Sequence, residues 1–226
     1  NRSDEVGIPL PGPGEYGVFS IAIGIISLVS IFAALGLYQG ILHFVAVYDS
    51  TGQKEKVRGT VLFGIKAQLF ASIAFAAAIF LLSDWISAAF FSEQQLAPVL
   101  KILAFALPFL VLTSTLMIIV QAFKKIEYKV YVRSIIENIA KISFTIALFL
   151  LGFRLLGVAI GLALSSMLAF AVSLYLVQKK VYPLFAGKEK AEYNAKELLH
   201  YSWPLFAIGF FYTLMSSIDT LMLGSL

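Results

Sequence analysis

Residues 54–83 read KEKVRGTVLFGIKAQLFASIAFAAAIFLLS, a basic head followed by an apolar run that begins at Gly59. The run from 59 to 83 exceeds the roughly 20 residues that carry an α-helix across hydrocarbon at about 1.5 Å each. The bilayer core holds no water, so such a run must be a helix that satisfies its own backbone. Asp84-Trp85-Ile86 closes the far end as an interfacial turn, with Trp85 at the headgroup level.

Five more stretches meet the same test, at about 16–36, 98–121, 134–152, 155–177 and 203–224. The chain is therefore expected to be all-α, a polytopic membrane protein with six transmembrane helices. Composition agrees, with 60% hydrophobic residues, 13% charged residues and a mean hydropathy of +0.89. A soluble domain carries about a quarter charged residues.

Fourteen of the seventeen Lys and Arg residues fall in every second gap between the apolar runs. Lys54, Lys56, Arg58 and Lys66 occupy the gap at 49–66, and Lys124, Lys125, Lys129, Arg133 and Lys141 the gap at 121–141. Lys179, Lys180, Lys188, Lys190 and Lys196 occupy the gap at 178–196, leaving Arg2, Lys101 and Arg154 elsewhere. The positive-inside rule places the basic gaps in the cytoplasm, in a multi-pass protein of the cytoplasmic membrane. Both ends of the chain then lie outside the cytoplasm. Residues 1–15 contain no signal-peptide core and no initiator Met, and Met222-Leu223-Gly224-Ser225-Leu226 stops at a helix tip. The expectation is an internal piece of a larger transporter, preceded by a first helix.

The net charge of +4 needs no nucleic acid, because anionic lipid headgroups are sufficient partners for cytoplasmic basic loops. The absence of cysteine excludes disulfides, thiolate metal sites and cysteine nucleophiles. Gly36/Gly40 and Gly157/Gly161 form GxxxG pairs that let helices approach closely. Pro98 fits a first turn, whereas Pro108 is interior and should kink its helix. The stretch 184–198 is the most polar in the chain, and Ser202-Trp203-Pro204 looks like a helix restart with Ser202 as cap. These signals divide the chain into an extracytoplasmic turn at 1–15, a bundle at 16–183, a cytoplasmic linker at 184–201 and a new helix at 202–226.

Gly12-Pro13-Gly14-Glu15-Tyr16-Gly17 matches G-x-G-x-x-G, but that motif has meaning only between a strand and a helix packed on a sheet. Here it precedes a membrane-length apolar run, so a tight turn is the better account. His43 and His200 lack partners at metal-ligand spacing, so no metal or cofactor is expected. No Ser/His/Asp set is recognisable, and enzymatic chemistry has no support.

Ionisable residues inside the spans carry more meaning, because charge in hydrocarbon is costly and usually lines a pathway. Arg133, Glu137 and Lys141 recur at i, i+4 and i+8, with Asn138 and Thr145 beside them. Lys141 lies seven residues beyond Ser134, roughly 10 Å into its helix. Against a polar face toward a water-filled cavity stands a local account, in which Ser134-x-x-Glu137 is a capping box and Glu137–Lys141 a helical ion pair. For Lys66, snorkelling and cavity lining serve equally well. Asp219, with Tyr212 and Ser216 on its face, has no long stem and needs a partner, a proton or a wet vestibule.

Several of these stretches resemble the Wzx-type polysaccharide flippases of the multidrug/oligosaccharidyl-lipid/polysaccharide exporter superfamily. Gly14-Glu15-Tyr16-Gly17-Val18-Phe19-Ser20-Ile21-Ala22 is similar to the segment entering the second helix of that family. Leu35-Gly36-Leu37, then His43-Phe44-Val45-Ala46 and Gly52-Gln53-Lys54, resembles that helix and its following loop. Glu137-Asn138-Ile139-Ala140-Lys141, with Gly152 and Gly157, resembles helices five and six. Ser202-Trp203-Pro204 through Asp219-Thr220-Leu221-Met222-Leu223-Gly224 resembles helix seven. One departure is His43, where many members carry a basic residue.

The resemblance implies helices 2–7 of a two-lobe transporter with about twelve to fourteen helices. Such a protein flips a lipid-linked oligosaccharide across the cytoplasmic membrane by alternating access, as a monomer that works beside polysaccharide assembly enzymes. Lys66, Arg133 and Lys141 would then attract the lipid phosphate, and Asn138 would bond sugar hydroxyls. Glu137 and Asp219 would serve charge balance or ion coupling. A drug or cation antiporter of the same superfamily is the alternative, although the cationic stripe opposes it. A membrane-embedded glycosyltransferase or polymerase would need a larger outer loop, and a bundle with only an assembly role would need no polar stripe.

Overall fold

The structure, a computed structural model, describes residues 13–91, 93, 95–153, 155–184 and 191–224; from residue 212 onward only the backbone is described. Helix α1 (Pro13–Ala33) opens on a proline, whose missing N–H costs nothing in a first turn. It ends three residues before the expected boundary at 36. The chain then turns through Leu35 (φ 52°) and Gly36 (φ 65°), both left-handed, a region that leucine rarely enters. Gly36 caps α2 (Leu37–Ser50), so the first GxxxG pair opens a second helix rather than closing the first.

A break inside a membrane-length segment exposes carbonyls that lipid cannot satisfy. The Ala34 carbonyl accepts a hydrogen bond from the Leu37 amide at 2.9 Å, and Gln68 supplies a second donor. It is fully buried on α3 (Lys54–Ile86), and its Nε2 donates to the Ala34 carbonyl at 2.9 Å. Its Oε1 accepts a hydrogen bond from the Thr115 hydroxyl on α4 (Leu96–Ala122). One amide thus ties the break to both neighbouring helices.

Helix α2 buries Leu37, Ile41, Val45 and Tyr48, a helical stripe that faces α3 and α4. A turn with Gly52 at φ 73° leads into α3. At 33 residues, α3 is about 50 Å long, more than the roughly 30 Å of hydrocarbon. It continues as a π-helical turn at Ser87–Phe91. Helix α4 is the central and most buried element, with Pro98 in its first turn and Pro108 inside. Next comes one continuous rod, made of α5 (Ile126–Val130), a π-helical segment at Tyr131–Ile136 and α6 (Glu137–Leu150). Ser134 is therefore interior to a helix, and the capping box is not realised.

Helix α7 (Leu155–Leu176), extended by a π-helical turn at Val177–Val181, returns along α6. Gly161 makes this possible: a Cβ there would lie 3.1 Å from the Thr145 backbone nitrogen. Helix α8 (Ala195–Gly224) starts earlier than the proline suggested, so Ser202 and Pro204 are interior. Residues 195–199 are good helix formers, and burial of Leu198 against α2 rewards the extra turns. Glycines again set the contact, since a Cβ on Gly36 would come 2.5 Å from the Phe206 Cβ and one on Gly40 2.8 Å from Leu198.

The three basic gaps meet at one end of the bundle. The Lys125 ammonium donates to the Lys180 carbonyl, the Glu192 amide to the Glu55 carbonyl at 3.2 Å, and the Tyr48 phenol to Glu197 at 3.4 Å. At the opposite end Lys101 pairs with Asp84 at 2.8 Å. Among the described residues four helices are long and apolar enough to cross a membrane, within 16–33, 54–89, 96–122 and 155–181. Of the other expected crossings, 134–152 lies in the charged α5–α6 rod, and 203–224 falls mostly on side chains outside the described residues.

Candidate functional site

The bundle has two apolar cores. One, at the basic end, gathers Leu37, Ile41, Val61, Leu116, Ile119 and Val132. The other, toward the Asp84–Lys101 end, gathers Ala22, Ile26, Leu100, Leu103, Leu107 and Ala159. Between them lies a polar cavity of about 320 Å³. Helix α1 contributes Ser27 and Ser30, α2 Tyr38, α4 Thr113 and Ser114, and α7 Ser166. The α5–α6 rod contributes Arg133 and Glu137.

Some of these hydroxyls are occupied. Ser30 donates to the Ser27 carbonyl at 2.7 Å, Ser166 to the Ala163 carbonyl at 2.8 Å, and Tyr38 reaches the Val111 carbonyl at 3.4 Å. Each keeps acceptor lone pairs toward the cavity. Thr113 differs. It is only 7% exposed, and its hydroxyl finds no partner among the described residues. A buried hydroxyl without a hydrogen bond costs about 1–3 kcal/mol, which a bound polar group could recover.

Arg133 is exposed and Glu137 half-buried, so the cavity opens past the guanidinium. Neither makes an ion pair within 4.0 Å among the described residues. Arg133 precedes Glu137 by four positions across the end of the π-helical segment, and both reach the same space. Five donors and a carboxylate thus share a compartment with hydroxyls from four helices.

The other expected site residues fall elsewhere. Lys141 is exposed and lies outside the cavity lining, although its charge still acts on Glu137. Asn138 is exposed and donates to the Ser134 carbonyl at 3.0 Å. Lys66 is exposed on α3, away from the buried stripe of Val61, Gly64, Gln68 and Ser72. Asp219, like Tyr212 and Ser216, has a side chain outside the described residues, as do Arg154, Lys188 and Lys190. Sequence reasoning passed over Gln68, Tyr38, Thr113 and the serines, because isolated hydroxyls are common in membrane helices and bond their own backbone.

The remaining motifs resolve simply. Gly14 and Gly17 lie within α1, with no strand among the described residues. His43 stacks on Tyr201 of α8 at 4.7 Å and 14°, and His200 is exposed. Among the described residues no group of three or more His, Cys, Asp or Glu could hold a metal.

A polar, charged compartment among apolar helices, of which α1, α4 and α7 are of membrane length, defines the class, a multi-pass membrane protein with an internal hydrophilic cavity. Comparison with known proteins supplies the family: residues 12–226 match the polysaccharide biosynthesis proteins, and the chain belongs to that family. No curated protein and no solved structure matched the chain.

Proposed function

We propose that the protein flips a lipid-linked oligosaccharide, carried on a polyprenyl-phosphate-type lipid, across the cytoplasmic membrane for cell-surface polysaccharide synthesis. The supporting observation is the cavity itself. Arg133, Glu137 and unsatisfied hydroxyl capacity share one space inside an apolar bundle. Each sugar hydroxyl stripped of water without a partner costs several kcal/mol, so a glycan crosses hydrocarbon only where such partners are built in. A guanidinium matches the fork of phosphate oxygens, and the serine, threonine and tyrosine hydroxyls both donate to and accept from sugar hydroxyls.

Glu137 beside Arg133 limits the net charge of the compartment, so a phosphate is held without being trapped. The volume of about 320 Å³ is at the small end of ligand pockets, enough for roughly one or two sugar rings. A longer glycan extends past Arg133 through the open side. In this proposal six helices cross the membrane, the basic end faces the cytoplasm, and access alternates between the two sides. Asn138 and Lys141 guide the headgroup along the rod, and Asp219 contributes to ion coupling or charge balance. Polysaccharide assembly enzymes supply and consume the cargo. A cation or drug antiporter would have to admit a cationic substrate beside the Arg133 guanidinium, and like charge opposes that.

The test is surface polysaccharide in cells whose only copy carries Arg133→Ala or Arg133→Lys. At matched membrane levels, export falls about tenfold or more for alanine and partly recovers for lysine, the size of one charge-assisted hydrogen bond. Unchanged export in Arg133→Ala would remove the basis for the phosphate role.

A further inference from the structure

On the far side of α4 from the polar cavity, a second hollow of about 850 Å³ runs between α3, α4 and α7. Its walls are apolar side chains, among them Leu69, Ile73 and Phe80 of α3, Pro108 and Phe109 of α4, and Leu174 of α7. Small residues leave the room: Ala76, Ala77 and Ala104 line the hollow where larger side chains would narrow it. The groove follows α3 from Leu62 to Leu81, twenty residues, or about 28 Å of helix. That nearly equals the whole hydrocarbon thickness of about 30 Å, twice the reach of an acyl chain from one leaflet.

The two ends differ in charge. On α3, Lys66 follows Leu62 by four residues and so lies within about 40° of it around the axis, on the groove side. It is exposed, with no hydrogen bond or ion pair among the described residues. Lys66 precedes Asp84 by eighteen residues, about 27 Å, which places it at the hydrocarbon boundary of the basic end. At the other end the cation is already taken, since Lys101 is paired with Asp84 at 2.8 Å and lies over the Phe80 ring. Two anionic phospholipids meeting tail to tail would set a second phosphate beside Asp84, whose carboxylate already holds the cation there. One long chain with a single anionic head needs only Lys66.

We propose that this groove is a holding site for the carrier lipid, seating its polyprenyl chain along α3, α4 and α7 with the phosphate against Lys66. The inference rests on the flippase reading and extends it, because it separates capture of the carrier from passage of its head through the cavity across α4. Lys66 thereby acquires a role that cavity lining does not give it.

The experiment uses the full-length protein in nanodiscs and a long-chain polyprenyl phosphate bearing a diazirine on its tail. Photolabelling is expected within 62–81 and 104–116, to disappear in Ala77→Trp, which fills the groove from its open rim, and to need about tenfold more probe in Lys66→Gln. Equal competition by phosphatidylglycerol would assign the groove to ordinary lipid and overturn the proposal. So would labelling unchanged in Ala77→Trp, or a disulfide between a cysteine at Ile73 and another helix of the same protein. Lys66→Gln leaves the packed face untouched, so its result stands even if Ala77→Trp unfolds. Labelling lost in Ala77→Trp, together with normal export in Arg133→Ala, would fail the cavity reading and keep the groove. Loss of export in Arg133→Ala with labelling insensitive to Ala77→Trp would do the reverse.

Discussion

Gln68 shows how much one side chain can hold in a bilayer. Its amide closes the Ala34 carbonyl at the α1–α2 break and meets Thr115, fully buried between three helices. Replacing it with leucine keeps the volume but removes both side-chain bonds, leaving the Ala34 carbonyl only the Leu37 amide at 2.9 Å, a cost of about 1 kcal/mol per bond. Gln68→Leu should therefore lower the thermal unfolding midpoint in detergent by several degrees, while Gln68→Glu at low pH, still able to donate, should lose less. Equal stability of wild type and Gln68→Leu would mean that the Leu37 amide alone suffices at the break. Arg133 and Glu137 were singled out in the sequence as part of a charged stripe at i, i+4 and i+8, and both line the cavity. The charges and neighbours of the same spans also selected Lys66, Asn138 and Lys141, which lie outside the cavity lining. Depth along a helix can be counted in residues, whereas the direction around its axis depends on which neighbours pack where.

At the level of elements, the apolar runs at 98–121 and 155–177 became α4 and α7 almost as read. The misread boundaries share one cause. Helix α1 stops at a left-handed Leu35-Gly36 pair, α8 starts early because Leu198 packs on α2, and the rod before α6 continues through a π-helical segment. Long-range contacts override local signals in each case. The Gly161 contact gives a direct test. A side chain there meets the backbone of Thr145, which cannot swing away. Gly161→Leu should cost about 1–3 kcal/mol by overpacking, splay α6 from α7 and displace Arg133 from the cavity. Export and the unfolding midpoint should fall together, whereas Gly52→Ala, with open space at its Cβ, should show only a small effect from its left-handed backbone. A Gly161→Leu protein with normal stability would show that the hairpin can repack.

For the molecule as a whole, the convergence of the basic gaps on one end and the Asp84–Lys101 pair at the other predicts a simple labelling pattern. Single cysteines at 51 and 124 should react with an impermeant maleimide only from the cytoplasmic side, and those at 85 and 153 only from outside. A cysteine at 166, in the cavity, should react from water, while one at 73, in the groove, should react only with a lipid-soluble reagent. Protection of position 166 from both aqueous sides would refute a wet compartment. The membrane class, the apolar spans and the grouping of the basic segments were determined by the sequence alone. They rest on transfer free energies that each stretch of about 20 residues carries by itself, wherever its neighbours lie. The polar cavity, the apolar groove and the sorting of Arg133 from Lys66 were decided only by tertiary structure. Each depends on the rotation of one helix against others far away in sequence, set by Gly36, Gly40 and Gly161, by the broken α1–α2 segment and by the π-helical turn before Glu137. No single segment contains that information.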